Sequence, residues 1–266
     1  MGAFILGAGG TITGGEQDYV SAGGAVSPQP SVDTILSGTL TTAANGLGTL
    51  TLVTNNSTVG AAGTETFSLA EVNSKHAVIG EFDSGATSSG SLDFQTLASS
   101  TLAEVNGPFV FSVSGKSSSK AEVFGGLMTS DGAGHLTTAD VDQNSGGAVT
   151  RGGSNAGTYT APDAAGRGSM TFGGNHYSYY VVNAKVLRLV IVDASEPTIG
   201  TAYTGVSGIT NANLTNSFLF ADSSNLSAGA SFAAAGKLTL DAGGHVTGGF
   251  TDVNENGTAT SAAVTG

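Results

Sequence analysis

Apolar and polar residues alternate along most of the chain, and glycine-rich turns interrupt the alternation about every 8–12 residues. In the clearest stretch, Phe109, Phe111 and Val113 alternate with Val110 and Ser112. A period of two is typical of a β-strand that buries one face, because successive side chains point to opposite sides of a sheet. No segment combines a helical period with capping residues. The pattern therefore predicts an all-β protein.

The same pattern recurs at an interval of about 110 residues, which identifies an internal repeat. The hairpin Asp131–His135 matches Asp241–His245, and Gly7–Thr11 fills the same turn near the start of the chain. The later half of the unit recurs as well, since Val72–Lys75 corresponds to Val182–Lys185. The matches keep the same order along the chain, so they define one repeating structural unit.

The repeat divides the chain into three units, at about residues 1–99, 100–208 and 209–266. The second unit is complete, and we expect about eight to nine short antiparallel strands in meander order. Such a unit forms an up-and-down barrel or a two-layer β-sandwich, and both alternatives stay open. The first unit lacks the opening strand that Phe109–Val113 supplies to the second, and the third stops soon after its turn at Asp252–Gly257.

Incomplete repeats at both ends have two explanations. Either the chain is a piece of a longer tandem array, or it is a subunit whose missing strand comes from a neighbouring subunit. In the second case the donor is the aromatic stretch that begins at Phe218, where the stretch that begins at Phe111 recurs. We therefore predict Phe218, Leu219 and Phe220 as an assembly strand.

Four features define the unit, and they carry a resemblance to a known group of proteins. They are an aromatic opening strand, the hairpin Asp131–His135, the turn Asp252–Gly257, and a further hairpin made by Gly157–Thr160 and Gly166–Ser169. The unit resembles the tandem β-repeats of large secreted or surface proteins of Acidobacteria-like soil bacteria, over essentially the whole chain. The first unit departs from the pattern at its first hairpin. The resemblance implies a secreted β-repeat protein and does not imply any catalytic activity.

Composition and charge narrow the choice of partners. Charged residues make up 11% of the 266 residues, and 20 acids against 8 bases give a net charge of −12. Because phosphate neutralisation needs clustered Lys and Arg, nucleic acid is excluded as a partner, and an anionic membrane surface is an equally poor one. The apolar runs are far shorter than the ~20 residues of a spanning helix, so no transmembrane segment is expected.

The absence of cysteine excludes disulfides, thiolate metal sites and a cysteine nucleophile. A weakly charged surface rich in Ser, Thr, Asn and Gly favours an extracellular or cell-surface location over the cytosol. The first residues, Met1–Gly7, include no basic side chain, so we expect no signal peptide. An extracellular chain would then be a mature or excised form.

Two segments carry oxygen-bearing side chains at alternate positions, which is the spacing of an EF-type calcium loop. They are Asp140, Asp142 and Asn144, and Asp252, Asn254 and Asn256. Neither segment has the glutamate expected at the twelfth position, and the two are out of register, since Asp142 aligns with Asp252 and Asp18 in the repeat. Two interpretations stay open, Asx-type turns at strand ends and calcium sites. No other cofactor is expected.

An aromatic cluster offers a candidate carbohydrate site, because flat rings can stack on sugar faces. Its members are Tyr177, Tyr179, Tyr180 and His176. The same alternation also suits a core strand, and the first unit has Phe67, Leu69 and Ala70 in place of the three tyrosines. The hydroxyls are therefore not shared between units, which favours the core interpretation.

Catalytic motifs are missing from the sequence. His135 and His245 follow equivalent hairpins, but we identify no acidic or hydroxyl partner that recurs with them, and we expect them to be surface residues at strand starts. The sequence contains no G-x-S-x-G elbow, no P-loop and no H-E-x-x-H motif. We therefore predict that the protein is not an enzyme.

These observations favour a non-enzymatic extracellular structural protein, the building block of a surface array or filament, which associates with itself or with neighbouring repeats. Two other functions are weighed against it. One is a carbohydrate-binding adhesin module that uses the tyrosine-bearing strand. The other is a hydrolase whose site lies between repeats.

Overall fold

Nineteen antiparallel strands in three sheets make up the described part of the chain, residues 1–20, 32–83, 88–117, 120–193, 198–206, 208–225 and 231–266 of a computed structural model. The only helical segments in these ranges are three short 3₁₀ turns, at Ala8–Gly10, Leu102–Glu104 and Asn211–Leu214. None of the described helices is long and apolar enough to cross a membrane. The all-β prediction is confirmed.

The first sheet, called the open sheet below, has seven strands in sequential order, with β1 and β7 at its two edges. Its strands are β1 (Gly2–Leu6), β2 (Thr11–Asp18), β3 (Val32–Thr42), β4 (Leu47–Thr54), β5 (Thr64–Asn73), β6 (His76–Glu81) and β7 (Ser89–Asp93). Its buried core is small and consists of Ile12, Ile35, Leu50, Leu52 and Phe67.

The next eight strands form a closed up-and-down barrel, which decides between the two architectures that the sequence left open. They are β8 (Asn106–Ser117), β9 (Lys120–Asp131), β10 (His135–Ser145), β11 (Ala148–Tyr159), β12 (Arg167–Phe172), β13 (Asn175–Asn183), β14 (Val186–Ile191) and β15 (Thr198–Thr204). Each strand pairs with its sequence neighbour, and pairing of the last strand with the first, from Thr198 with Gly115 to Thr204 with Phe109, closes the ring.

The period of two explains why the barrel closes around a continuous core. Phe109, Phe111 and Val113 all point inwards from β8 and are buried. The ring of Phe111 meets Phe172 edge to face at 5.3 Å between centroids, and Phe172 stacks on Tyr177 at 4.2 Å. Such pairs add to the free energy gained by burying their area.

The remaining four strands form a sheet, called the C-terminal sheet below, that has almost no core. They are β16 (Asn216–Asn225), β17 (Ser231–Leu240), β18 (Val246–Glu255) and β19 (Thr258–Val264). Gly236 is the only buried residue among the described positions of these strands. The sheet therefore presents its apolar side chains to solvent.

Strand registers show how the three sheets correspond. In the barrel, Phe109 pairs with Met128, and in the C-terminal sheet Phe218 pairs with Leu238 at the matching position before the hairpin. Strand β16 is thus the counterpart of β8, and Phe218 corresponds to Phe109. The sequence alignment that matched Phe218 with Phe111 was wrong by two residues. Strands β1–β7 are the counterparts of β9–β15.

A pair of matched substitutions tests the contrast between the barrel and the C-terminal sheet. Phe111→Ala removes a buried ring and should lower the free energy of unfolding by about 3–5 kcal/mol. Phe220→Ala, at the corresponding and only partly buried position, should cost about 1 kcal/mol or less in dilute protein. Urea denaturation followed by circular dichroism measures both. Equal losses would mean that β16 is packed into a core in solution.

Candidate functional site

A polar row on the outer wall of the barrel meets the open sheet. The row runs across four strands, because Arg167 of β12 pairs with Tyr180 of β13, Tyr180 with Arg188 of β14, and Arg188 with Thr201 of β15. Two of the chain's three arginines lie in this row. In a protein with so few charges, the row is a concentration of positive charge that faces the acidic open sheet.

Asp18, the last residue of β2, is the centre of one end of this junction. Its side chain is 0% exposed. Arg167 donates two hydrogen bonds to it, from Nε to Oδ2 and from Nη2 to Oδ1, both at 2.8 Å. Tyr180 Oη also donates to Asp18 Oδ2 at 2.8 Å, and Arg167 Nη2 donates to Ser178 Oγ at 3.0 Å. A bidentate guanidinium and a hydroxyl together offset the cost of burying this carboxylate.

Asp93, the last residue of β7, is the centre of the other end. Arg188 donates to Asp93 Oδ2 from Nη2 and, at 3.2 Å, from Nε. Asp93 Oδ1 lies 2.8 Å from His76 Nδ1. Burial on its own would raise the pKa of Asp93, but the hydrogen bonds from Arg188 and His76 outweigh burial and lower it. The same arginine bonds Ser91 and Thr201 through their hydroxyls, so it joins β7 to β15.

The linker between β7 and β8 is bound to the barrel along its length. Gln95 Nε2 donates to the carbonyl oxygens of Ala165 at 2.8 Å and Val181 at 2.7 Å, and the backbone N–H of Thr96 donates to Val182 O at 2.7 Å. Leu97 and Leu102 pack against the barrel core. The junction and the linker together fix the orientation of the open sheet on the barrel.

Glu16 gives the junction a titratable group near neutral pH. Burial and the neighbouring carboxylate of Asp163 raise the pKa of Glu16 to about 7, although Arg167 opposes the shift. Asp163 belongs to the loop that precedes β12, so this repulsion acts between the open sheet and the barrel.

The structure places the predicted calcium ligands along strands. Asp140, Asp142 and Asn144 lie in β10 with exposed side chains on its outer face. Alternate residues on one strand are roughly 7 Å apart, whereas ligands of one calcium ion must converge to about 2.3–2.6 Å from it. In the described ranges, no three His, Asp or Glu side chains come together closely enough to hold a metal ion. The three side chains are therefore spread along one strand and do not converge on one point.

The second predicted calcium segment contains a tight hairpin turn. Asp252 and Asn254 lie in β18, where Asp252 accepts a hydrogen bond from the hydroxyl of Ser261. Asn254 Oδ1 accepts a hydrogen bond from the N–H of Gly257 at 2.9 Å. Asn256 and Gly257 occupy the two turn positions with φ of +52° and +83°, as a type I′ hairpin turn requires. The geometry of the turn therefore explains why asparagine stands at positions 254 and 256.

The tyrosines proposed for carbohydrate binding are buried. Tyr177, Tyr179 and Tyr180 all belong to the interior of the protein. Tyr179 Oη donates to the carbonyl oxygen of Thr160 at 2.7 Å, and Tyr180 points its hydroxyl at Asp18. No described face of these rings is open to a sugar. His176 is half exposed and its Nδ1 lies 2.9 Å from Asp193 Oδ1.

The hairpin histidines do have a recurring acidic partner, so that part of the sequence interpretation was wrong. His135 Nδ1 lies 2.9 Å from Asp131 Oδ2, and His245 Nδ1 lies 3.2 Å from Asp241 Oδ2. Each aspartate also accepts the backbone N–H of its histidine. Backbone hydrogen bonds from His135 and Ala133 lower the pKa of Asp131 to about 2. The pairs stabilise two equivalent turns.

The predicted assembly strand is exposed. Phe218 and Leu219 are 40% and 84% exposed, and Phe220 is partly buried. On one side β16 pairs with β17, and its other edge has no strand partner among the described residues. An unpaired strand edge next to exposed rings is a ready site for strand addition.

Sequence reasoning missed Arg167 and Arg188, which carry the junction. A signal was present, because the two arginines stand at repeat positions where the first unit has Leu47 and Val78. A charged residue at an apolar repeat position indicates a contact that one unit makes and another does not.

Comparison of this chain with models of protein families, with curated proteins and with solved structures finds no match. The junction and the exposed strand therefore carry the functional argument.

Substitution of Asp18 tests the junction. Asp18→Ala leaves a largely buried guanidinium and a buried tyrosine hydroxyl without their acceptor, and should lower the free energy of unfolding by roughly 3–5 kcal/mol. The control is Asp142→Ala, at the corresponding but exposed repeat position, which should change it by about 0.5 kcal/mol or less. Thermal and urea unfolding measure both variants. Similar losses would contradict a special role for Asp18.

A pH titration tests Glu16. Its pKa of about 7 lies above the ordinary value of 4.5, so between these values the folded protein keeps a proton that the unfolded chain releases. The free energy of unfolding should therefore fall as the pH rises from about 5 to 8. Glu16→Gln should remove this part of the decline, while Glu71→Gln, at an exposed position, should leave it. An unchanged pH profile of the Glu16 variant would refute the assignment.

Proposed function

We propose that this protein is a non-enzymatic extracellular structural protein, the subunit of a surface array or filament that assembles by β-strand complementation. In this assembly, β16 of one copy enters the place between β7 and β1 of the next copy. The observation that carries the proposal is the difference of one strand between the open sheet and the closed barrel.

The barrel supplies the template for this complementation. Its strand β8 lies between β15 and β9, pairing Phe111 with Ala202 on one side and Phe109 with Met128 on the other. The open sheet has counterparts of all the barrel strands except β8. The counterpart of β8 within this chain is β16.

Transfer of these pairings to the open sheet gives an explicit register. Phe220 lies opposite Leu92 of β7, and Phe218 lies opposite Phe4 of β1. Phe4 is partly buried against the core of the open sheet, and Leu92 is partly buried. Both phenylalanines then point inwards, and Leu219 points to solvent on the outer face.

The energetic balance favours this arrangement. Moving a fully exposed phenylalanine into a core is worth roughly 1.5–3 kcal/mol. Phe218 is 40% exposed and Phe220 is partly buried, so each ring gains a part of that amount. The free edge of β16 gains backbone partners on β7, while its other edge exchanges β17 for β1. The exchange conserves hydrogen bonds on that side, so the new pairing and the burial are gains.

The location outside the cell and the lack of catalysis rest on other observations. The chain has no cysteine and few charges. Each histidine has its Nδ1 within hydrogen-bonding distance of an aspartate: His76, His135, His176 and His245. The strongest polar cluster, at Asp18 and Arg167, is buried in a contact between sheets. These features support a structural role.

Serine substitutions on β16 test the proposal with a control on the same strand. Phe218→Ser combined with Phe220→Ser should keep the protein monomeric, as should deletion of residues 214–222. Leu219→Ser should assemble like the wild type, because Leu219 faces outwards in the proposed register. Sedimentation velocity and negative-stain electron microscopy give the readout. Fibres formed by the double variant, or a wild type that stays monomeric at all accessible concentrations, would overturn the proposal.

A peptide tests the acceptor without altering the protein. A synthetic peptide with the sequence of residues 214–225 should occupy the place between β7 and β1, stop fibre growth and raise the melting temperature of the open sheet. The same peptide with both phenylalanines replaced by serine should do neither. Equal effects of the two peptides would contradict the proposed register.

A further inference from the structure

The open sheet has an outer row that corresponds to the one on the barrel, with apolar residues in place of both arginines and the tyrosine. By register, Leu47 of β4 pairs with Ala70 of β5, Ala70 with Val78 of β6, and Val78 with Ser91 of β7. This row corresponds position by position to Arg167, Tyr180, Arg188 and Thr201 of the barrel. Val78 is 48% exposed, so the place where Arg188 binds Asp93 is an uncovered apolar patch on the open sheet.

The end of the barrel also has an apolar residue at the position where the end of the open sheet has a charged one. Asp93 pairs with His76 across β7 and β6, and Tyr203 pairs with Val186 at the corresponding position of β15 and β14. Tyr203 therefore stands on the barrel where Asp93 stands on the open sheet, and it is 57% exposed. One face has lost its arginine and the other has lost its carboxylate. The charged contact between Arg188 and Asp93 therefore has an apolar counterpart, with Val78 on one face and Tyr203 on the other.

Side-chain size also changes in a complementary way. In the barrel row the bulky Tyr180 donates its hydroxyl to Asp18, whereas the open-sheet row has the small Ala70 at that position. On the other face, Asp93 is replaced by the larger Tyr203. Ala70 pairs with Val78, so its small side chain leaves space beside Val78 for the larger ring of Tyr203.

We propose that the Val78 and Ala70 face of one copy docks on Tyr203 of the copy that donates β16 to it, so that the contact between the open sheet and the barrel is repeated between subunits in apolar form. The inference rests on the proposed strand complementation and adds a second, separate interface to it. Its occupant is a second copy of this chain.

The position of the donor strand makes the two contacts compatible. Eleven residues separate β15 from β16, and twelve separate β7 from β8, so the donated strand leaves the barrel on a linker of almost the same length. In the first linker, Leu97 and Leu102 pack on the barrel that follows. In the second linker, Val206, Ile209 and Leu214 are exposed. The next copy would cover them in the same way.

The acidic end of the junction is not repeated. Asp142 corresponds to Asp18, but its carboxylate is exposed and accepts a hydrogen bond from the N–H of Gly152 at 3.3 Å. Leu47 stands where Arg167 would be needed to bind it. The proposed interface is therefore centred on Val78, Ala70 and Tyr203, with Asp142 at its solvated rim.

The two interfaces reinforce each other. Once β16 is inserted, Tyr203 is held close to Val78 at a high effective concentration, so a modest apolar contact adds substantially to the stability of the assembly. The contact joins different faces of two identical chains. Heterologous contacts of this kind extend into an open chain of subunits unless the rotation between subunits closes a ring.

Restoring the charge pair of the intrachain junction gives the decisive test. Val78→Arg alone and Tyr203→Asp alone should each raise the critical concentration for fibre formation about tenfold, because each puts one unpaired charge into the contact. The double variant should return it to within about threefold of the wild type, because it recreates the Arg188–Asp93 pair between copies. Val149→Arg, at an exposed position on the far strand β11, is the control and should have no effect.

The outcomes separate the two proposals. If the serine variants of β16 abolish fibres but Val78→Arg leaves the critical concentration unchanged, the docking interface is refuted and strand complementation stands. If the double variant is no better than the single variants, the pairing of Val78 with Tyr203 is refuted. If the serine variants still form fibres, strand complementation fails, and the docking interface fails with it. Circular dichroism spectra and melting temperatures of the exposed-site variants establish that they are folded.

Discussion

The pairing of strand edges is the constraint on which the whole molecule depends. A backbone N–H or C=O that is removed from water must find a partner, and a sheet satisfies this at every strand except its two edges. The barrel removes its edges by pairing β15 with β8. The open sheet and the C-terminal sheet keep theirs. The sizes of the three cores follow from this difference, because the closed barrel buries the apolar face of every strand, whereas the C-terminal sheet leaves its described apolar side chains partly or fully exposed.

Charge is scarce in this chain, and where it is placed decides which surfaces meet. Two arginines on the barrel wall face two aspartates at the ends of β2 and β7, in an acidic protein with a net charge of −12. Burying Asp18 is favourable only because Arg167 and Tyr180 satisfy both of its oxygens. The contact is therefore specific. A hydrophobic face of similar area would tolerate sliding, whereas a bidentate pair holds one register.

Local pattern predicted most of the fold. Alternation identified the strands, and the repeat identified the corresponding hairpins, because both depend on residues close together in the chain. The closed barrel could not be separated from a sandwich, since closure depends on a pairing between Phe111 and Ala202. Asp18 and Arg167 are 149 residues apart, and no local signal links them. The ring of Tyr180 was expected in a core, but its hydroxyl was not expected at a contact between sheets.

The route of the chain through the barrel has a mechanical consequence. Phe109 near the start of β8 pairs with Thr204 at the end of β15, so the polypeptide enters and leaves the barrel at the same end. Tension applied along the chain would load this strand pair at one end and peel it apart one hydrogen bond at a time. It would not shear many bonds together. The barrel would therefore open at a lower force than a strand pair of the same length that is loaded in shear.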